Sequence, residues 1–424
     1  MQAELRRWAL RLTAAVPDPT SSSTPAVPSS DRLLTRNFLL ACAMQLFGSM
    51  AGALYILFPL FVRSLGGTEL TIGVYAGIGA AAAVGIRWPL GFLLDRLGRK
   101  RIMLAATGVH AAASFGFLGV TELGALCALL VVAASVAAGA MFTSFVTYAS
   151  DVIPVTRRAQ GLAWFGLWGM ASNGLSPLLG EWLIRSWGFA AYFLAAATLA
   201  LACLGVIALL DERGRPRAAH PHTPATLAPA PVPPAFWPLM ALTFLFGAAE
   251  ASVFTFLAPY VTAANLAPAG TLFFAYAGTA VFVRIVSGHL PDRIGRYPML
   301  AFAFVVYGTA LFLLPRAGDR VWLHAAGSLA GMGHGYAFPI LAALVVDLAG
   351  SRRGRAVSWF TAMFDLGHTL SNPALGAIAE HFGYRAMYSS VGILAFLAGC
   401  AVASRALPTR DHRALKPQPA RERN

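Results

Sequence analysis

The sequence predicts an all-α membrane protein whose twelve transmembrane helices form two pseudo-symmetric six-helix bundles. Three observations carry this expectation: too few charges for a water-facing surface, apolar stretches of membrane length along the whole chain, and an internal repeat. Of 424 residues, 57% are hydrophobic and 12% charged, about half of the roughly 25% charge content of a soluble domain. That composition excludes an ordinary soluble enzyme. The ten-residue alternating strands of an outer-membrane barrel are absent.

The expected spans are 37–62, 71–93, 102–120, 123–148, 161–182, 189–210, 236–261, 271–288, 298–315, 321–347, 357–378 and 386–404. Each is long enough, as a helix, to cross a hydrocarbon layer of ~30 Å. Residues 1–36 read as a disordered cytoplasmic tail, with Arg6, Arg7 and Arg11 ahead of a Pro/Ser/Thr-rich run from Pro17 to Ser30. Arg11 and Thr13 interrupt the apolar core that a signal peptide needs. Residues 37–210 form the N-terminal bundle and 236–404 the C-terminal one. Between them, 211–235 is rich in proline, alanine and basic residues and reads as a cytoplasmic linker. Residues 405–424 make a second cytoplasmic tail.

The net charge of +14 raises nucleic acid as a partner, but its placement argues against it. Of the 32 Lys/Arg residues, 25 fall in the tails and even-numbered loops, 5 in the opposite loops, and 2 (Arg87 and Arg284) inside spans. The positive-inside rule puts the 25-rich side in the cytoplasm. The basic excess is therefore a topology signal. With a composition low in Lys and rich in Ala, Gly and Arg, it suggests a multi-pass protein of a bacterial inner membrane, both termini cytoplasmic. Cys42, Cys127, Cys203 and Cys400 sit singly in different spans, without metal or redox spacing, and read as small core residues.

The halves match when slid by about 196 residues. Gly91, Asp95, Arg96, Gly98 and Arg99 fall on Gly288, Asp292, Arg293, Gly295 and Arg296 at an offset of 197. Asp151 falls on Asp347, Trp164-Phe165 on Trp359-Phe360, and Ser176-Pro177 with Gly180 on Asn372-Pro373 with Gly376. Leu46-Phe47-Gly48 recurs as Leu245-Phe246-Gly247. One short match is cheap; five in order at a near-constant offset are not. Six helices in each half, an even number, make the halves parallel, related by an axis along the membrane normal.

The stretch Gly91-x-x-x-Asp95-Arg96-x-Gly98-Arg99-Lys100, in the loop after span two, and its copy after span eight resemble the signature of the major facilitator superfamily. The resemblance covers residues 37–404 and lies nearest bacterial sugar- and drug-efflux-type permeases. It implies a conformational gate in which the motif Asp pairs across the bundle interface and shuts the cytoplasmic side. Asp95 would then face Arg355 and Ala356, and Asp292 would face Arg158 and Gly161. Asp95→Asn is expected to fold and insert but to shift the conformational equilibrium and slow transport. Wild-type rates from correctly inserted variant in a vesicle uptake assay would count against that gate. Gly174-Leu-Ser-Pro177-Leu-Leu-Gly180 partly resembles the family's antiporter motif, with Ser176 where the family has Gly. Its recurrence around Pro373 leaves a packing role and an antiport role both open.

Two acids lie well inside spans: Glu250 and Asp365. A charge at such depth is costly, so it is usually turned to a cavity and functional. Burial disfavours the charged form, which suits a group that takes and releases a proton. Asp365, His368 and Asn372, at i, i+3 and i+7, share a helix face. His334 sits within Gly331-Met-Gly333-His-Gly335. Glu250, Asp365, His334 and His368 are the proton-coupling candidates. Gln45, Thr143, Thr147, Asn173 and Asn372 are the substrate-cavity candidates. Arg87 and Arg284 are expected to snorkel to headgroups, the alternatives being an anion site or a gate. His110 is expected to be structural.

No nucleotide loop, HExxH, GxSxG or metal-spaced Cys/His cluster occurs. The chain is expected not to be an enzyme and to need no cofactor or metal. Its partners would be a small-molecule substrate, protons and membrane lipid, and it would act as a monomer. The expected activity is secondary active transport by alternating access, as proton-coupled efflux. Proton-coupled uptake is the alternative, and a non-transporting membrane sensor or scaffold is the alternative from another class.

Overall fold

A computed structural model describes residues 32–211, 236–348 and 353–406, with neither a strand nor a metal cluster among them. Nearly all of the expected linker, and most of the two expected tails, lie outside these residues. Ten described helices are long and apolar enough to cross a membrane. Two of them, Arg158–Ala208 with 51 residues and Arg353–Ala406 with 54, are far longer than the ~20 residues a crossing needs. Each breaks at one glycine with left-handed φ, Gly188 at 78° and Gly383 at 80°. A residue with a Cβ is strained there. Loops were expected at these two places; a single glycine suffices, leaving twelve membrane-length segments.

We number them α1 (Arg36–Ser64, with a 3-10 turn at Tyr55–Leu57), α2 (Glu69–Leu97), α3 (Arg99–Gly116), α4 (Ala125–Val152), α5 (158–187) and α6 (189–208). The second half comprises α7 (Phe236–Ala263), α8 (Ala269–Ser287), α9 (Arg296–Leu313), α10 (Arg320–Leu348), α11 (353–382) and α12 (384–406). Caps match local chemistry: the Thr35 hydroxyl accepts from Phe38 N (3.2 Å), and that of Thr68 from Thr71 N (3.3 Å). Gly98 and Gly295, with φ of 87° and 110°, turn the chain between α2 and α3 and into α9.

Large apolar side chains such as Leu129, Phe282, Trp322 and Phe382 are exposed on the outside, as lipid contact requires. Cys42, Cys127 and Cys203 are buried, but Cys400 is exposed on α12, so only three of the four are core residues. His110 is buried with Nδ1 3.4 Å from Ala134 O, as a packing residue would be.

The repeat reappears in space. Arg99 pairs with Asp95 and Asp151, and Arg296 with the equivalent Asp292 and Asp347. Lys100 reaches back to Ala208 O (2.9 Å) and Leu210 O (2.7 Å), a cation on the carbonyl end of α6. These motifs define what we term the basic face.

The bundles meet mainly toward the opposite face, through glycines that admit backbone contact. A Cβ on Gly73 or Gly77 of α2 would collide with Asn372 or Pro373 of α11; one on Gly270 would lie 2.7 Å from Pro177 O. Both Gly/Pro stretches of the repeat are thus packing surfaces between bundles. Carboxylates finish the seal. Glu181 of α5 accepts from Gly270 N, in the first turn of α8 (2.7 Å), and Glu380 of α11 from Leu70 N, in the first turn of α2 (2.8 Å). Arg63 bonds Glu69 (2.6 Å) and Pro259 O (3.0 Å), while Tyr384 donates to Glu69 (2.6 Å).

Candidate functional site

With that face packed shut, a cavity of about 820 Å³ remains between the bundles, within the usual range for small-molecule sites. Its walls are mostly apolar, with phenyl rings from Phe142, Phe145, Phe338 and Phe364. Gln45 and Asn173 line it on the first bundle; Glu250, Arg284, His334, Asp365 and His368 line it on the second.

Small residues bring the second bundle's polar groups together. Gly247 of α7 packs on Phe364 O, and a Cβ on Gly367 of α11 would lie 3.0 Å from Ala248 N. This close approach sets Glu250 beside His368. On α10, a Cβ on Gly333 would lie 2.7 Å from Tyr307 Cβ of α9, one on Gly335 3.1 Å from Ala280 O of α8, and one on Gly331 would strike Tyr276 O. The three glycines flanking His334 thereby wedge its imidazole between α7, α8 and α9.

The result is a buried cluster. Glu250 Oε1 pairs with His334 Nδ1, and Oε2 lies 3.3 Å from His368 Nε2. The Tyr276 hydroxyl lies 2.8 Å from the same His334 Nδ1. Glu250 and His334 are 5% and 7% exposed, so this carboxylate depends on the two imidazoles for its hydrogen bonds. Sequence reasoning reached Glu250, His334 and His368 but not Tyr276.

Asp365 pairs with Arg87 of α2 across the bundle interface. Arg87 does not reach for headgroups, because a carboxylate on the facing bundle lies within reach of its stem. Arg284 likewise turns inward, its Nε donating to Gly335 O at 3.3 Å.

Three substrate candidates stand elsewhere. Thr143 and Thr147 bond carbonyls of their own helix, Gly139 O (3.0 Å) and Thr143 O (2.8 Å), and are not on the cavity wall. Asn372 is 3% exposed in the α2–α11 contact, donating to His368 O at 2.9 Å. In each case the intrahelical carbonyl supplies the partner that a solute would otherwise offer. The gate Asp residues also depart from expectation: Asp95 and Asp292 are exposed and pair with Arg99 and Arg296 of their own motifs. Here each motif ties its own bundle together. The Arg355 side chain lies outside the described residues.

The seal carboxylates Glu69, Glu181 and Glu380 were also missed. They sit at helix ends, where an acid looks like an ordinary loop charge.

Comparison with known proteins gives the family and the fold. The family profile of the Major Facilitator Superfamily matches residues 38–290 and 262–424. The chain is 24% identical over 353 residues to the multi-drug resistance efflux pump PmrA of Streptococcus pneumoniae, covering 79% of this chain and 87% of that one. It is 29% identical over 154 residues to an uncharacterized MFS-type transporter of Pseudomonas aeruginosa, a match spanning 36% of this chain and 38% of the relative. Among solved structures, the nucleoside transporter NupG superposes with a TM-score of 0.71 at 14% identity, covering 88% of this chain and 100% of that one. The peptide transporter POT superposes with a TM-score of 0.69 at 16% identity, covering 88% and 94%.

Proposed function

The chain belongs to the major facilitator superfamily, and from that premise we propose that it exports a small amphipathic or sugar-like solute in exchange for protons. The membrane in this reading is the bacterial cytoplasmic membrane, with the basic face inside by the positive-inside rule. Glu250, bridged between His334 and His368 on the cavity wall, is the observation that carries the reading. A carboxylate and two imidazoles can hold an added proton in a buried place by sharing it through charge-assisted hydrogen bonds.

The two bundles would rock about the cavity, exposing it to one side at a time. A proton taken up from outside is released inside, and the solute takes the opposite path. Asn173 offers an amide group to the solute and the phenyl rings offer apolar surface, while Gln45 lines the cavity with its Nε2 held by Ser49 Oγ at 2.9 Å. Kinship with PmrA, named as an efflux pump, supports export as the direction.

The test is a panel of sugars and amphipathic drugs added to acid-loaded proteoliposomes. A transported solute is expected to alkalinise the vesicle interior. Acidification by a transported solute would mean that proton and solute move together, and would overturn the exchange.

A further inference from the structure

His334 Nδ1 has two claimants. The Tyr276 hydroxyl lies 2.8 Å away and the Glu250 carboxylate pairs with the same atom. A ring nitrogen carries either one lone pair or one hydrogen. When Nδ1 is bare it accepts the Tyr276 O–H. When it is protonated it donates to Glu250, and Tyr276 must turn its hydrogen elsewhere. An acceptor stands ready. The Tyr307 hydroxyl is buried beside the Tyr276 hydroxyl and has no other side-chain partner. The two phenols come from α8 and α9, held against α10 by Gly331 and Gly333.

From this geometry we infer that Tyr276 is a positioning residue of the proton site, its hydroxyl alternating between His334 Nδ1 and the Tyr307 oxygen as the site empties and fills. The inference rests on the proton-coupling reading above and assigns it a switch. The step balances simply. A proton from cavity water bonds to Nδ1, the Tyr276 O–H rotates about its C–O bond without breaking, and its hydrogen bond passes to Tyr307. Release reverses each move. Tyr276 thus stabilises the empty site and Tyr307 the filled one.

The other charged and titratable groups near this cluster are Arg284 on α8, and His368 and Asp365 on α11. On the facing bundle there is Arg87 of α2, already bound by Asp365. None of these reaches Nδ1 within hydrogen-bond distance, so the two phenols and Glu250 decide its state.

The experiment uses the full chain in lipid nanodiscs with the proton as the only ligand. Spin labels at positions 101 and 297, exposed on the basic face of either bundle just after the motifs, report its opening by distance measurement from pH 5 to 9. In the wild type the distance distribution is expected to change with pH. Tyr276→Phe removes the competitor for Nδ1, so the midpoint moves to higher pH by about one unit. Tyr307→Phe removes the alternative acceptor, so the midpoint moves to lower pH. Both variants keep the ring and its packing. Opposite shifts support the switch, since a packing role alone gives no such sign reversal. Unmoved midpoints, or shifts of the same sign, overturn it while leaving proton coupling in place. A wild type indifferent to pH overturns the coupling reading and this inference with it.

Discussion

Glu250→Gln is expected to remove pH-driven transport, by at least tenfold, while leaving the bundles assembled. Glutamine keeps the shape of the side chain and its carbonyl still accepts from an imidazole, but it neither carries the charge nor takes the proton. A neutral hydrogen bond of this kind contributes about 1 kcal/mol net, so little stability is lost. The informative comparison is between flux driven by a pH gradient and solute counterflow without one. Gradient-driven flux should fall and counterflow persist, because counterflow needs only the cavity and the rocking motion. Gradient-driven flux at the wild-type rate would place the proton site elsewhere.

The second large effect concerns Arg87 and Asp365. Removing one partner of a fully buried ion pair costs about 3–5 kcal/mol, because the other charge is left stranded. Here the Arg87 and Asp365 side chains are 31% and 15% exposed to the cavity, so water offsets part of that loss and about 1–2 kcal/mol is expected. Asp365→Asn and Arg87→Gln should each lower thermal stability and slow transport about tenfold. Exchanging the pair, with Arg87→Asp and Asp365→Arg together, should recover most of both. If the exchange is no better than the single variants, the pair is incidental to transport. Melting curves and uptake rates on the same four proteins decide the matter.

Much of the fold could be read directly. An apolar run of twenty residues has few structural options in a chain this poor in charge. Likewise the repeat of Asp95-Arg96 in Asp292-Arg293 has few explanations other than duplication. The breaks at Gly188 and Gly383 could not be singled out, because 41 glycines occur and the sequence does not mark which adopt left-handed φ. In the site, Glu250, Asp365, His334 and His368 stood out because an ionisable group in an apolar helix is costly. Tyr276 did not, since a tyrosine among alanines and phenylalanines looks like packing. Its partner His334 is 58 positions away. Arg87 was placed at the right depth but with the wrong partner: depth follows from position along the helix, whereas the direction of a long stem follows from what the facing helix offers.

The acids sealing the face opposite the basic motifs have one more implication. Glu181 and Glu380 each grip a main-chain amide of the other bundle, at Gly270 and Leu70. Every amino acid except proline supplies such an amide, so drift at Leu70 leaves the donor intact, whereas Gly270 is held by the Pro177–Leu178 backbone packed against it. At Leu70 the clasp is therefore editable from the acid's side only. Across related chains, the ease with which this door swings would be set by the two acidic positions and by the glycine at 270, and hardly by the residue at 70.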